Sequence, residues 1–225
     1  MRPRGRRASA AINLSFHGIG EAGRSLEPDE ERYWVSPEQF DELVDAVRRQ
    51  PSVRLTFDDG NASDAEIALP ALQRAGLTAS FFVIAGRIGQ PGSLDLEQVR
   101  ELAQAGMTVG NHGLRHRSWR GLDDGGLEEE LVEARATLAE AAGRPVDEAA
   151  CPFGEYDRGI LRALRVQGFR RVYTVDELPA RAGGWLQPRY TIRSTDTAAR
   201  IERLTRPGGI ALAGGTLRTA AKRWR

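Results

Sequence analysis

The sequence predicts an α/β fold in which about seven parallel strands alternate with helices in a single domain, as a closed barrel or an open doubly wound sheet. Strand-like and helix-like segments alternate along the chain. Four predicted helices end at glycines, Gly76, Gly106, Gly143 and Gly168, as expected of glycine C-caps that precede strands. At 225 residues the chain is long enough for one substantial core.

The elements follow one another in a regular order. "INLSFHGI" alternates like a strand, and the helix "SPEQFDELVDAVRRQ" follows, with Ser36 as its cap, Pro37 at its first position and apolar residues on one face. Each further strand is expected to lead into a helix or a loop. The later segments are "VRLTF", "DAEIALPALQRAG", "TASFFVIAG", "DLEQVRELAQAG", "MTVG", "LEEELVEARATLAEAAG", "EAACPFG", "RGILRALRVQG", "RRVYTV", "LQPRYTIR" and "TAARIERLTRP".

Charge is nearly balanced over the whole chain. The 32 basic and 31 acidic residues give a formal net charge of +1, which argues against nucleic acid or an anionic membrane as a partner. Basic residues cluster at both ends, so we divide the chain into a basic N-terminal tail over 1–11, a catalytic domain over 12–215 and a basic C-terminal tail over 216–225.

Compartment signals are few. Cys151 is the single cysteine, so no intramolecular disulfide can form. Polar residues interrupt the apolar stretch near the N-terminus, so it is not a convincing signal peptide, and no run reaches the roughly 18 apolar residues of a membrane span. These observations predict a cytoplasmic protein with no stable membrane insertion; the oligomeric state is left open.

Two of the three histidines occur in "HGLRH", directly after the predicted strand "MTVG". Imidazoles four positions apart, here His112 and His116, can converge on one metal ion with a carboxylate from another strand end. A surface turn is the alternative interpretation of this spacing.

Adjacent acids follow the strand "VRLTF". Two carboxylates side by side raise the cost of ionising both, unless each has a different role. If Asp59 binds a cation, Asp58 is free to act as a general base toward a water that the metal holds. A solvated turn is the alternative interpretation of "DDG".

Three motifs in this order, "LTFDDG", "NHGLRH" and "CPFGEYD", resemble those of the NodB-homology polysaccharide deacetylases, carbohydrate esterase family four. The resemblance runs from about residue 12 to residue 192. It implies a deformed (β/α) barrel of about seven strands, a divalent metal on Asp59, His112 and His116, and Asp58 as the base. It also implies that Phe153 donates its backbone N–H to the oxyanion, and that the family reaction is hydrolysis of an acetamido group on a sugar.

The sequence departs from the family pattern at three places. Ala150 stands where better-known members have an arginine that tethers the catalytic aspartate; Arg189 in "LQPRYTI" is the candidate replacement, with a surface arginine as the alternative. Gly113 replaces the usual Ser or Thr after the first histidine of the second motif and is expected to lose a loop hydrogen bond.

The third departure is the missing final leucine-x-histidine motif, since "IALAGG" contains no histidine. In permuted branches of the family an N-terminal strand supplies the acid histidine. We therefore predict that His17, at the end of the first strand, is the general acid. The alternative is a partly buried histidine bonded to a backbone carbonyl.

Together with these residues, the resemblance implies a metal-dependent hydrolase that removes the N-acetyl group from an N-acetylated sugar through metal-bound water. The sugar is expected to be a polysaccharide, an oligosaccharide or a lipid- or nucleotide-linked precursor. Zn is favoured as the cofactor, with Co, Ni or Mn as alternatives. Two other functions fit the same residues: a small-amide hydrolase with this metal site, and a catalytically weak sugar-binding homologue.

Overall fold

A closed barrel of seven parallel strands forms the centre of the protein in the computed structural model, which describes residues 10–206. The barrel closes because β1 pairs in parallel with both β2 and β8, which confirms the predicted barrel. The strands are β1 (Ala10–Phe16), β2 (Val53–Asp59), β3 (Ala79–Val83), β4 (Thr108–Asn111), β5 (Glu148–Ala150), β6 (Arg171–Thr174), β7 (Ala180–Arg181) and β8 (Leu186–Thr191). The two-residue β7 lies outside the barrel and pairs antiparallel with β1.

Helices connect the strands around the outside. As predicted, Pro37 opens the first helix and the Ser36 hydroxyl accepts a hydrogen bond from the Gln39 N–H. The helices are α1 (Pro37–Arg48), α2 (Leu69–Ala75), α3 (Leu96–Gln104), α4 (Asp124–Glu128), α5 (Ala134–Ala142), α6 (Arg158–Val166) and α7 (Ala198–Thr205). One turn of π-helix, Asp64–Ala68, precedes α2, and another, Glu129–Glu133, joins α4 to α5.

Some boundaries differ from the sequence prediction. β1 begins at Ala10, two residues before the expected start of the domain, because Ala10 and Ala11 pair with β7. The remainder of the predicted N-terminal tail, the whole C-terminal tail and the segment "IALAGG" lie outside the described residues. Within residues 10–206, none of the helices combines the length and apolar character needed to cross a bilayer.

The two faces of the strands have opposite character. Outward-facing residues pack beneath the helices: the Phe16 ring stacks on Phe57 at 5.3 Å and meets Phe40 of α1 edge-on at 5.4 Å. The face that points into the barrel is polar. Asn13 donates to the side-chain oxygen of Gln187 at 3.2 Å, and the Ser15 hydroxyl contacts Asp58 at 3.2 Å. The barrel therefore encloses a hydrogen-bonded interior next to the rim where the strands end.

A buried carboxylate shapes the loop after β4. Glu130 is fully buried, and its side chain accepts hydrogen bonds from the Leu114 N–H at 2.7 Å and from Arg117 Nε at 2.8 Å. The indole N–H of Trp119 approaches the same carboxylate at 3.4 Å. Glu130 thus supplies acceptors along the loop that carries "HGLRH".

Gly113 fits this arrangement because it has no side chain. Its φ is +87°, and a Cβ there would lie 2.3 Å from the Glu130 carboxylate. The Gly113 N–H donates to the Asn111 side chain at 2.8 Å. The hydrogen bond that a Ser or Thr would have supplied is therefore replaced by bonds to Glu130 and Asn111.

We expect Glu130→Gln to lower the free energy of unfolding by about 1–3 kcal/mol. The substitution removes the negative charge that Arg117 pairs with, and it replaces one acceptor oxygen of the loop amides by an NH₂ group. Glu129→Gln is the matched control, since that neighbour is part-exposed and its ion pairs contribute about 1 kcal/mol or less. Urea unfolding of both variants measures the difference. Equal losses would contradict the organising role of Glu130.

Candidate metal centre

Asp59, His112 and His116 meet at the rim of the barrel, where the strands end. Each offers one ligand atom, and these atoms lie within 4.8 Å of one another. The Asp59 Oδ1 atom is 3.5 Å from His112 Nε2 and 3.4 Å from His116 Nε2. The structure therefore brings together the three residues that the sequence predicted as ligands.

The outer nitrogens of the two imidazoles have separate partners. His112 Nδ1 lies 2.9 Å from the backbone oxygen of Ala150, and His116 Nδ1 lies 2.8 Å from Glu27 Oε1. Donation from both Nδ1 atoms leaves each Nε2 with a lone pair toward Asp59. Burial lowers the pKa of His112, which favours the neutral imidazole that a metal requires.

Asp58 is buried and held by Arg189. The guanidinium binds the carboxylate through two contacts, Nη1 to Oδ1 at 2.6 Å and Nη2 to Oδ2 at 2.7 Å. Burial would raise the pKa of Asp58, but the charge of Arg189, followed by that of His112, lowers it below its usual range. Asp58 is therefore ionised at neutral pH and fixed in direction.

The structure explains how Arg189 reaches this position. It is fully buried, which excludes the surface arginine considered as the alternative. Its guanidinium lies over the rings of Phe82, at 5.4 Å, and Tyr173, at 5.8 Å, which contact each other. Ala150 packs with the same two rings. The space inside the barrel beside this small residue of β5 is thus filled by an arginine from β8.

His17 follows β1 and lines the same cavity as the three candidate ligands and Asp58, a cavity of about 210 Å³. Its ring stacks on Tyr33 at a centroid distance of 5.1 Å. The buried Nδ1 atom of His17 has no hydrogen-bond partner among the described residues, so this nitrogen is not bonded to a backbone carbonyl.

Phe153 lines the same cavity. Its side chain is 53% exposed and its ring is 4.5 Å from the ring of His116. Its φ of 56° is left-handed, as are those of Asp59, at 80°, and His116, at 52°. Three of the five non-glycine residues with positive φ in the described chain therefore belong to this cavity wall, which is typical of backbone strain held at functional sites.

Sequence reasoning missed several charged residues around the centre. Arg24 Nη2 approaches the second oxygen of Asp59 at 3.9 Å, and Arg87 pairs with Glu27 at 2.5 Å. Asp64 is fully buried with neither carboxylate oxygen hydrogen-bonded among the described residues, and burial, aided by the charges of the two neighbouring acids, raises its pKa. No short motif marks these residues.

A divalent cation fits the donor set. Asp59 Oδ1 is buried without a hydrogen-bond partner in the described residues although it faces two imidazoles. Two nitrogens and one carboxylate oxygen form a ligand set typical of catalytic sites with open positions. The arrangement thus combines a candidate metal site with an ionised acid beside it.

Solved structures share this fold. The deacetylase PplD of Streptococcus pyogenes, in complex with acetate, superposes with a TM-score of 0.77 at 21% identity, over 89% of this chain and 100% of that chain. IcaB from Ammonifex degensii gives a TM-score of 0.71 at 24% identity, over 85% of this chain and 95% of that chain. At these identities the likeness supports the barrel fold.

Curated relatives match by sequence. YxkH of Bacillus subtilis (strain 168) is 27% identical over 178 residues, 72% of this chain. The chitooligosaccharide deacetylase of Rhizobium leguminosarum bv. trifolii is 27% identical over 143 residues, 63% of this chain. Each match covers 63% of the relative's own length. Residues 45–172, more than half of the chain, match the polysaccharide deacetylase family, and the protein therefore belongs to that family.

Proposed function

We propose that the protein is a metal-dependent hydrolase that removes the N-acetyl group from an N-acetylated sugar. The observation that carries the proposal is the position of Asp58, ionised and held by Arg189, next to the cluster of Asp59, His112 and His116 in one cavity. Family membership supports deacetylation of a carbohydrate.

Asp59, His112 and His116 would hold the cation, with Zn favoured by two imidazoles and one carboxylate. When bound, such a cation lowers the pKa of a water molecule and stabilises negative charge on a carbonyl oxygen. The chain's own residues then direct the proton transfers.

Asp58 accepts the proton of the attacking water. Its lowered pKa makes it a weak base, so the assignment relies on a water whose own pKa is lowered. Arg189 is the positioning residue, because its two-point contact fixes the direction of the carboxylate. It would take the role of the arginine that better-known family members have and this chain lacks.

Protonation of the leaving nitrogen falls to His17. Water oxygen bonds to the acetyl carbon, the C–N bond breaks, and His17 gives its proton to the amine while acetate leaves. The Phe153 N–H is the candidate donor to the oxyanion of the acetyl group. Support for both roles comes from their shared cavity with Asp58.

An acetamido sugar suits a cavity with aromatic walls. Tyr33 and Phe153 line it from different loops, and flat rings favour the apolar faces of sugars. The Rhizobium relative is a chitooligosaccharide deacetylase, which supports a substrate of this class. The retained Asp58–Arg189 pair argues against a protein that only binds sugars, since binding alone does not require a buried base.

We expect Asp58→Asn to lower acetate release from N-acetylglucosamine oligomers by about 10²- to 10⁴-fold, because the proton acceptor is lost. The zinc content should remain unchanged, since the three ligands are intact. Acetate detection on zinc-loaded protein measures the rate, and circular dichroism checks the fold. Asp45→Asn, an exposed change on α1, is the control. Parental activity in Asp58→Asn would contradict the role.

Arg189→Met should lower the free energy of unfolding by about 3–5 kcal/mol, because it leaves the Asp58 carboxylate buried without its counter-charge. Adding Asp58→Asn to Arg189→Met should restore part of the stability. Urea unfolding measures both, with the exposed Arg193→Met as the control. If the double variant is less stable than Arg189→Met, the pairing does not account for the loss.

His17→Gln distinguishes a proton donor from a structural residue. We expect acetate release from the amide substrate to fall by about 10²-fold or more. Hydrolysis of 4-nitrophenyl acetate should fall much less, because its phenolate leaves without a proton. Tyr33→Phe, which retains the stacked ring, is the control. Equal loss on both substrates would indicate a role other than acid catalysis.

A further inference from the structure

The ring of His116 is held from two opposite sides. Its Nε2 atom faces Asp59 Oδ1 at 3.4 Å, and its Nδ1 atom lies 2.8 Å from Glu27 Oε1. His112 differs, because its Nδ1 partner is a backbone carbonyl at 2.9 Å. The orientation of His116 therefore depends on a side chain that substitution can change.

Glu27 is itself fixed from several directions. Arg87 Nη2 binds the same oxygen, Oε1, at 2.5 Å. The Glu27 N–H donates to the carboxylate of Glu30 at 2.7 Å, and Glu30 in turn pairs with Arg24 at 2.5 Å. These contacts hold the carboxylate where the imidazole meets it.

An ordinary surface ion pair is the competing interpretation, since the Glu27 and Arg87 side chains are 36% and 21% exposed. The bond to His116 argues against it. The His116 side chain is only 10% exposed, so its contact with Glu27 is largely screened from solvent on the imidazole side. A carboxylate that accepts a hydrogen bond from Nδ1–H fixes the orientation of the imidazole ring. It also selects the tautomer in which the lone pair is on Nε2.

We propose that Glu27 is a positioning residue of the metal centre: through Nδ1 it orients His116, makes the imidazole a stronger ligand and so tightens binding of a divalent cation. This inference rests on the proposed function, since it requires a cation at Asp59, His112 and His116. Arg87 holds Glu27 in place and contributes indirectly.

The test measures zinc affinity rather than turnover. Competition with a chromogenic chelator gives the Zn²⁺ dissociation constant of the whole protein and its variants. We expect Glu27→Ala to weaken binding by about 10- to 100-fold. The zinc dissociation constant of Glu27→Gln should lie between those of the parent and Glu27→Ala, because the amide oxygen still accepts a hydrogen bond from Nδ1–H but carries no charge. Arg87→Gln should lose less zinc affinity than Glu27→Ala. Glu21→Gln, exposed in the same connection, is the control.

Two further measurements separate this role from a structural one. The metal-free variants should unfold at the same urea concentration as the parent, and the visible spectrum of the Co²⁺ form should change in Glu27→Ala. If Glu27→Ala and Glu27→Gln both bind zinc as tightly as the parent, the role of Glu27 is contradicted. The proposed function still holds in that case, provided that the parent binds zinc and releases acetate. Failure of the parent to bind zinc overturns the proposed metal centre as well.

Discussion

The ion pair between Asp58 and Arg189 inside the barrel is the interaction on which the centre depends. Two charges are stable in such a place only when each compensates the other and further hydrogen bonds satisfy them, as Ser15 and Thr56 do here. Successive residues of a strand point to opposite faces, so Asp58 points inward, whereas Asp59 adopts a left-handed conformation at the rim. Adjacent carboxylates are tolerated because one has a guanidinium and the other faces two imidazoles.

Closure of the barrel brings residues from distant parts of the sequence to one rim. Residues at or just after the ends of six of the seven barrel strands line one cavity, so residues far apart in the sequence meet there. Arg189 from β8 fills the interior next to Ala150 of β5. The second case is local: Gly113 removes a side chain that would collide with Glu130, and Glu130 binds the loop amides instead. Proximity in the barrel, rather than order in the chain, therefore decides which residues lie together.

The sequence predicted what repeats or has a fixed spacing. Alternating segments predicted a parallel sheet with helices, the family resemblance implied its closure into a barrel, and "HGLRH" with "DDG" predicted the three clustered residues. Glu130 had a signal that was overlooked: it falls between Gly126 and Ala134 on a buried stripe at intervals of four, where a charge requires a partner. Glu27 had none, because it lies in an irregular connection and its side-chain partners, Arg87 and His116, come from distant parts of the sequence.

The two imidazoles are built by different parts of the molecule. His112 follows a barrel strand and bonds to the carbonyl of Ala150, so its position is a property of the barrel. His116 depends on Glu27, which belongs to the connection between β1 and α1. The same connection begins at His17 and includes Tyr33, so it also contributes to the cavity wall. Because loops tolerate change more readily than strands, this connection can alter the surroundings of His116 and the cavity wall while the barrel keeps Asp58 and Arg189 in place.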